Sequence, residues 1–434
     1  MTSLPRRLVQ GFPTQAVGAR SEDGQSKMCA MRIGLLFILL VGCGNEPRKQ
    51  APLTGSAAPA PNSPTSPLDD GRTLLLEHHV NTDGEASYLV VAFDANPVTK
   101  PVLTPLDKVP ALELVNWPGH FATVAAHRGL RWVHAVADGK RWKLIVGATS
   151  VTAGGKPSFQ IDLGDRPTAL HIAGDALYVG TGQSVGWFDL AIMPPKYVEL
   201  VKRDGPPHKS YDLFVHTGDR LVAIDDEVFP MYADWFSIDA SGRPIKRLGD
   251  WTLPGVVNGH YDHAVLVANG EHVLYLDAQY GTLSGDGHVL AAIPIRSDKL
   301  VFDAGLTLQN GTGSTTPIVD ERVDRGGGRP DMLLGGTHYS GWSGLAATRD
   351  GKRLLLAANT RGLLVLPSNF TATSKAQFVD LGGECRDVRE QAGVLFALVV
   401  ATTGSELVVL ESAGPDFKVI ARHALPAGYD RFVR

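Results

Sequence analysis

Histidine and acidic side chains are the groups in this sequence most capable of chemistry, and they cluster beside turns rather than in a compact local motif. His260 and His263 bracket a His-Tyr-Asp-His stretch, and Asp225-Asp226-Glu227 follows one apolar run. Asp277 closes another run, and His338 lies in a glycine-rich segment. His120 and His208 precede other strand-length runs. Neutral imidazole with carboxylate suits a divalent cation or a proton-transfer site. Asp225, Asp226, His260, His263, Asp277 and His338 therefore form the candidate ligand site. Two His three residues apart are too common to specify a metal, and solvated loop His with turn-capping Asp is the competing reading. The sequence contains no Gly-x-Ser-x-Gly elbow, regular Asp-x-Asp calcium loop, Trp-docking repeat or repeated Trp-Asp. No motif indicates a particular cofactor, and only six Met offer little basis for copper storage or electron transfer.

The elements that must position these residues are short strands. From Gly71 onward, apolar runs of strand length alternate with Gly, Asp and Asn turns, and no helical periodicity competes. One unit recurs as strand, turn, strand: residues 121–136, 169–181, 211–226, 264–278, 344–358 and 386–400. Third strands follow, such as SVGWFDL and DWFSIDA, and then fourth strands such as KYVELV. The turn glycines Gly129, Gly174, Gly218, Gly270, Gly351 and Gly393 are spaced by 45, 44, 52, 81 and 42 residues. Four strands in forty-odd residues is the period of a β-propeller blade.

Six complete units leave two fragments. Residues 72–106 read as second, third and fourth strands without a first. The last six residues, YDRFVR, match YDLFVH at 211–216 in Tyr, Asp, Phe and Val. Pairing the two fragments predicts an all-β, seven-bladed propeller closed by its N- and C-terminal strands, which removes the exposed edges of an open sheet. A pair of β-sandwiches is the alternative, and it leaves the matching ends unexplained. The stretches LLLAANTRGLLVLP (354–367) and ALYVGTGQSVGWFDL (176–190) resemble bacterial LVIVD-repeat propellers, a likeness that implies architecture only. The long 81-residue interval contains an insertion at about 309–341, which includes three consecutive glycines between Arg325 and Arg329. Its place between a fourth strand and the next first strand puts it on the face where propeller loops bind ligands.

The region before the repeats carries a different message. Met31 to Cys43 is an apolar run too short to span a bilayer as a helix, with the size of a signal-peptide core behind Arg32. Its end, Leu40-Val41-Gly42-Cys43, resembles a bacterial lipobox, which implies lipidation at Cys43. Residues 1–42 are thus read as a signal region, with Met28 or Met31 as the expected start. Residues 43–70 form a Pro/Ala/Ser-rich tether that cannot bury enough apolar surface to fold. Of three cysteines, Cys29, Cys43 and Cys385, only Cys385 would remain as a thiol, so no internal disulfide is expected.

Without residues 1–42 the chain has 36 basic and 43 acidic residues, about −7 with His neutral. Nucleic acid is disfavoured as a partner, because no basic excess is available to neutralise phosphates. The expectation is a monomeric, membrane-anchored propeller of the cell envelope, on the periplasmic or surface side. It would act as a binding scaffold for a protein or other envelope component. The alternative is a metal-assisted propeller hydrolase, lactonase or lyase using the His/Asp cluster.

Overall fold

The computed structural model describes residues 72–78, 84–94, 96–106, 108–113, 121–122, 124–148, 157–203, 211–225, 232–252, 259–269, 271–282, 285–296, 299–300, 343–358, 362–369, 377–413 and 416–434. All lie in the unit Ala60–Arg434, which is distinct from Met1–Pro59. The signal region, the tether and the insertion at 309–341 lie outside the described residues. Among the described residues every regular element is a β-strand, and no helix is long and apolar enough to cross a membrane.

Among the described residues, six four-stranded antiparallel sheets succeed one another along the chain, each with its strands in sequence order. We number them I to VI. Their first strands are Ala125–Arg128, Pro167–Ala173, Tyr211–Thr217, Gly259–Asn269, Leu345–Ala347 and Glu384–Gln391. Sheet VII joins the two ends of the described chain. Thr73–His78, Glu85–Ala92 and Val102–Pro105 supply three neighbouring strands, and Tyr429–Phe432 pairs with the free edge of Thr73–His78. Leu76 stands opposite Phe432, and Val433 donates its N–H to the Leu75 carbonyl at 2.9 Å.

Packing between sheets explains why the strands read as almost continuous apolar runs rather than strict alternations. A sheet covered on both faces by neighbours buries side chains of both parities. Val133, Leu144 and Val146 of sheet I meet Leu177, Val179 and Phe188 of sheet II. Leu355 and Val365 of sheet V meet Val388, Ala397 and Val408 of sheet VI. Leu74, Leu89 and Val91 of sheet VII meet Phe396, Leu407 and Val409 of sheet VI, with Tyr429 and Phe432 in the same cluster. Each such side chain stabilises the fold by about 1.5–3 kcal/mol relative to exposure. The fourth strand of sheet II faces water: Tyr197–Lys202 is largely exposed.

The first strands touch one another in succession, from Ala125–Arg128 through to Tyr429–Phe432. Thr168 Oγ1 donates to the Tyr211 carbonyl at 2.8 Å, and the His127 N–H donates to the Arg434 carbonyl at 3.2 Å. At the far end of these strands, the expected turn glycines Gly129, Gly174, Gly218, Gly351 and Gly393 all have positive φ. That backbone is strained for residues with a Cβ and open to Gly. Gly270 lies outside the described residues.

The same irregularity recurs near the start of the first strands. The pairing skips one residue at Thr168, Asp212, Asp262 and Arg386, and again at Asp430 in the strand that joins sheet VII. A bulge of this kind bends the strand and increases its twist. Three of the five bulges have Tyr-Asp in sequence: Tyr211-Asp212, Tyr261-Asp262 and Tyr429-Asp430. The likeness of YDLF to YDRF is therefore a likeness of backbone geometry as well as of residues.

Candidate functional site

One cavity of about 430 Å³ is bordered by the first strands of all six sheets I to VI and by Arg434. It lies toward the turn-glycine end of those strands, where sheets I, II, III, V and VI each place a basic or imidazole side chain shortly before the glycine. His127 and Arg128 precede Gly129, and His171 precedes Gly174. His216 precedes Gly218, Arg349 precedes Gly351, and Arg389 precedes Gly393. All of these residues line the cavity. A second cavity of about 190 Å³ lies toward the strand starts, and His171, Phe214, Val215, Ala264 and Arg434 border both.

The imidazoles form a compact group. His171 Nε2 and His216 Nδ1 are 2.6 Å apart, and Arg128 Nη1 contacts the other nitrogen of His216. His127 is 2% exposed. Neither of its ring nitrogens makes a well-formed hydrogen bond, although the Gly129 main chain lies close enough to offset part of the lowering of its pKa. Arg434 is held by Asp387 Oδ1 at 2.6 Å and by the Leu345 carbonyl at 2.7 Å. Arg389 donates to the carbonyls of Val433 and His127. Glu390 also borders the cavity and accepts the Gly393 N–H at 2.6 Å.

Burial and cationic neighbours hold these imidazoles neutral. Burial, then Arg128 and Arg389, pushes His171 down to about 3. Burial, then Arg128 and His171, lowers His216 well below the usual range. Burial, then Arg389, does the same to His127. In sheet I, His134 stacks on Trp132 at 5.1 Å, and burial lowers it to about 4. The unfolded chain takes up protons on these groups as pH falls through about 6.5, whereas the folded chain resists until much lower pH. Their contribution is thus fully present above about pH 6.5 and is lost on acidification. His134 alone should remove on the order of 3 kcal/mol between that pH and its own titration near 4. Chemical-denaturation midpoints at pH 7.5 and pH 4.5 should differ accordingly, and His134→Phe should reduce the difference.

The residues expected from sequence fall differently. Asp225 is 1% exposed at the end of the second strand of sheet III, opposite Tyr211. His263 borders the smaller cavity, and its register partner across sheet IV is Asp277. His260 also lies on the first strand of sheet IV, opposite Gln279. The side chains of His260 and Asp277 are outside the described set, and Asp226 and His338 lie outside the described residues altogether, as do His120, His208 and Glu227. Among the described residues no three His, Cys, Asp or Glu side chains converge in metal-binding geometry. Cys385 is fully buried, and burial raises its thiol far above neutrality, which removes thiolate reactivity.

No family model matches this chain, and no curated protein matches it. Among solved structures, a protein from Lactobacillus plantarum aligns with a TM-score of 0.50 at 10% identity, covering 84% of this chain and 99% of the other. The Myceliophteria thermophila Cps50 (Swd1) β-propeller domain aligns at 0.42 and 12% identity, covering 76% and 94%. A Bacteroides uniformis protein, provisionally described as a 6-phosphogluconolactonase, aligns at 0.49 and 12% identity, covering 83% and 99%. Such likeness concerns the fold alone. The chain's own topology, successive four-stranded antiparallel sheets with their first strands around one cavity, is that of a β-propeller.

Proposed function

We propose that this chain is a lipid-anchored, seven-bladed β-propeller of the cell envelope that binds a partner or ligand rather than transforming one. In this reading Tyr429–Phe432 completes the blade begun by Thr73–His78, and the ring carries LVIVD-like repeats. The lipid on Cys43 and the tether at 43–70 hold the ring on the periplasmic or surface side of a membrane. The observation that carries the binding reading is the composition of the shared cavity. Its described lining combines guanidinium, imidazole and apolar side chains with Thr217, Thr348, Gln391 and a single carboxylate, Glu390, so it holds no Ser or Cys beside a base and no pair of carboxylates. Such a lining holds a molecule, whereas a hydrolase also needs an activated nucleophile or a paired acid and base. The partner in this reading is an envelope component and not nucleic acid, and the scaffold works as a monomer.

Attachment is testable apart from the ring. Cys43→Ser should shift the protein from the membrane pellet to the soluble fraction or leave it at precursor size, because the acyl chains supply the hydrophobic anchor. Unchanged fractionation and mobility of that variant would defeat the anchoring part of the proposal.

The register pair His263 and Asp277 favours a second reading, a metal-assisted hydrolase, lactonase or lyase built at the strand-start face. It would use Asp225, Asp226, His260 and His338 as further ligands or bases. The two readings place their sites at opposite ends of the first strands.

A further inference from the structure

We infer that the larger cavity is a binding site for a small organic anion, a carboxylate or a phosphate monoester with a compact apolar body. The inference rests on the binding reading above and names its ligand class. The first observation is charge. Arg128, Arg349, Arg389 and Arg434 line the cavity with one acidic residue, Glu390, and Arg434 is neutralised from behind by Asp387, in a chain whose formal net charge is −4. A cationic lining on an acidic protein selects anions and concentrates them locally. The second is His127, 2% exposed and lining the cavity, with neither ring nitrogen in a well-formed hydrogen bond beyond the approach of the Gly129 main chain. A buried polar group without a partner is destabilising unless something supplies one, and an anion oxygen accepts an imidazole N–H. The third is Arg349. It is exposed, with no ion pair or hydrogen bond on its guanidinium among the described residues, and it leans over the Gly393 turn of the next sheet.

Size and the remaining lining define the ligand further. A volume of about 430 Å³ is within the range of small-molecule sites, roughly 300–1,000 Å³. Ile172, Phe214, Val265 and Leu345 give the cavity apolar walls beside its cationic ones. The guanidinium fork matches carboxylate and phosphate oxygens alike, so the two head groups share one recognition chemistry.

The test is calorimetric titration of the full chain with benzoate, 4-nitrophenyl phosphate and, as a neutral control, benzyl alcohol, at constant ionic strength. Saturable binding of at least one anion, without binding of the alcohol, is expected, and whichever head group binds identifies the source chemistry. Arg349→Ala should weaken that binding tenfold or more, and its unchanged melting temperature would show that the fold survives. Absence of saturable binding by either anion, or binding that Arg349→Ala leaves unchanged, overturns the inference. Release of 4-nitrophenolate, lost in Arg349→Ala, would instead overturn the binding reading while placing the anion in this cavity.

Discussion

Truncation after Gly428 is expected to abolish cooperative folding or to lower stability by several kcal/mol. Tyr429, Phe432 and Val433 are all buried, at 8%, 4% and 3% exposure. Phe432 and Tyr429 pack with Leu76, Leu89 and Phe396, whereas Val433 packs with Leu75, Val90 and Trp132. The segment thus belongs to two apolar clusters on the two sides of sheet VII. It is also tied by polar groups: the Phe432 N–H donates to Asp387 Oδ2 at 2.9 Å, and Arg434 binds Asp387 Oδ1. Removing it strips the edge of Thr73–His78 and leaves the buried Asp387 short of two donors. Phe→Ala at a buried site typically destabilises by about 3–5 kcal/mol, so Phe432→Ala alone should approach a large share of a domain's roughly 5–15 kcal/mol. Urea midpoints of wild type, Phe432→Ala and the truncation should fall in that order. Equal midpoints for all three would show that the segment is a frayed end.

Asp234→Ala should destabilise the chain by about 3–5 kcal/mol, the range for breaking a buried charged network by removing one partner. Asp234 is 0% exposed in the third strand of sheet III, yet it is fully engaged. Arg203 Nη2 donates to Oδ2 at 2.9 Å, and Arg247 Nε donates to Oδ1 at 2.8 Å. The Tyr211 hydroxyl also donates to Oδ2 while accepting from Arg203 Nε at 2.7 Å. The alanine variant leaves two guanidinium groups and a buried phenol without their common acceptor. Asp234→Asn keeps shape and one acceptor oxygen, and its loss should be smaller. Thermal unfolding of the two variants checks the order, and an alanine variant within 0.5 kcal/mol of wild type would show that Arg203 and Arg247 find other partners.

The four-strand period is legible in the sequence because the first hairpin of a unit turns on a glycine at positive φ, and these glycines recur at 42–52 residues except across the one 81-residue interval. Strand type is legible because apolar runs of six to eight residues between turns are too short for helices. The recurrent bulge is half legible: YDLF and YDRF stand out as a match, but nothing local says that Asp212 and Asp430 are skipped in the pairing. The cavity was harder to see. Five of its lining side chains, His127, His171, His216, Arg349 and Arg389, stand two to four positions before a turn glycine, in different registers. A shift of one residue reverses the face a side chain takes on a strand, so the grouping emerges only once the strand pairing is known. His and Asp at loops carry familiar metal chemistry and stand out in a sequence, whereas an arginine before a turn glycine reads as an ordinary solvated charge.

The choice between binding and metal-assisted catalysis is tested most directly by the divalent-metal content of the full chain, purified without chelator and without a metal-affinity tag. The account predicts no stoichiometric metal, with the same background content in wild type, His260→Ala and Asp226→Asn. One equivalent of a divalent metal per chain, lost in both variants, would contradict it and place the working site at the strand-start face.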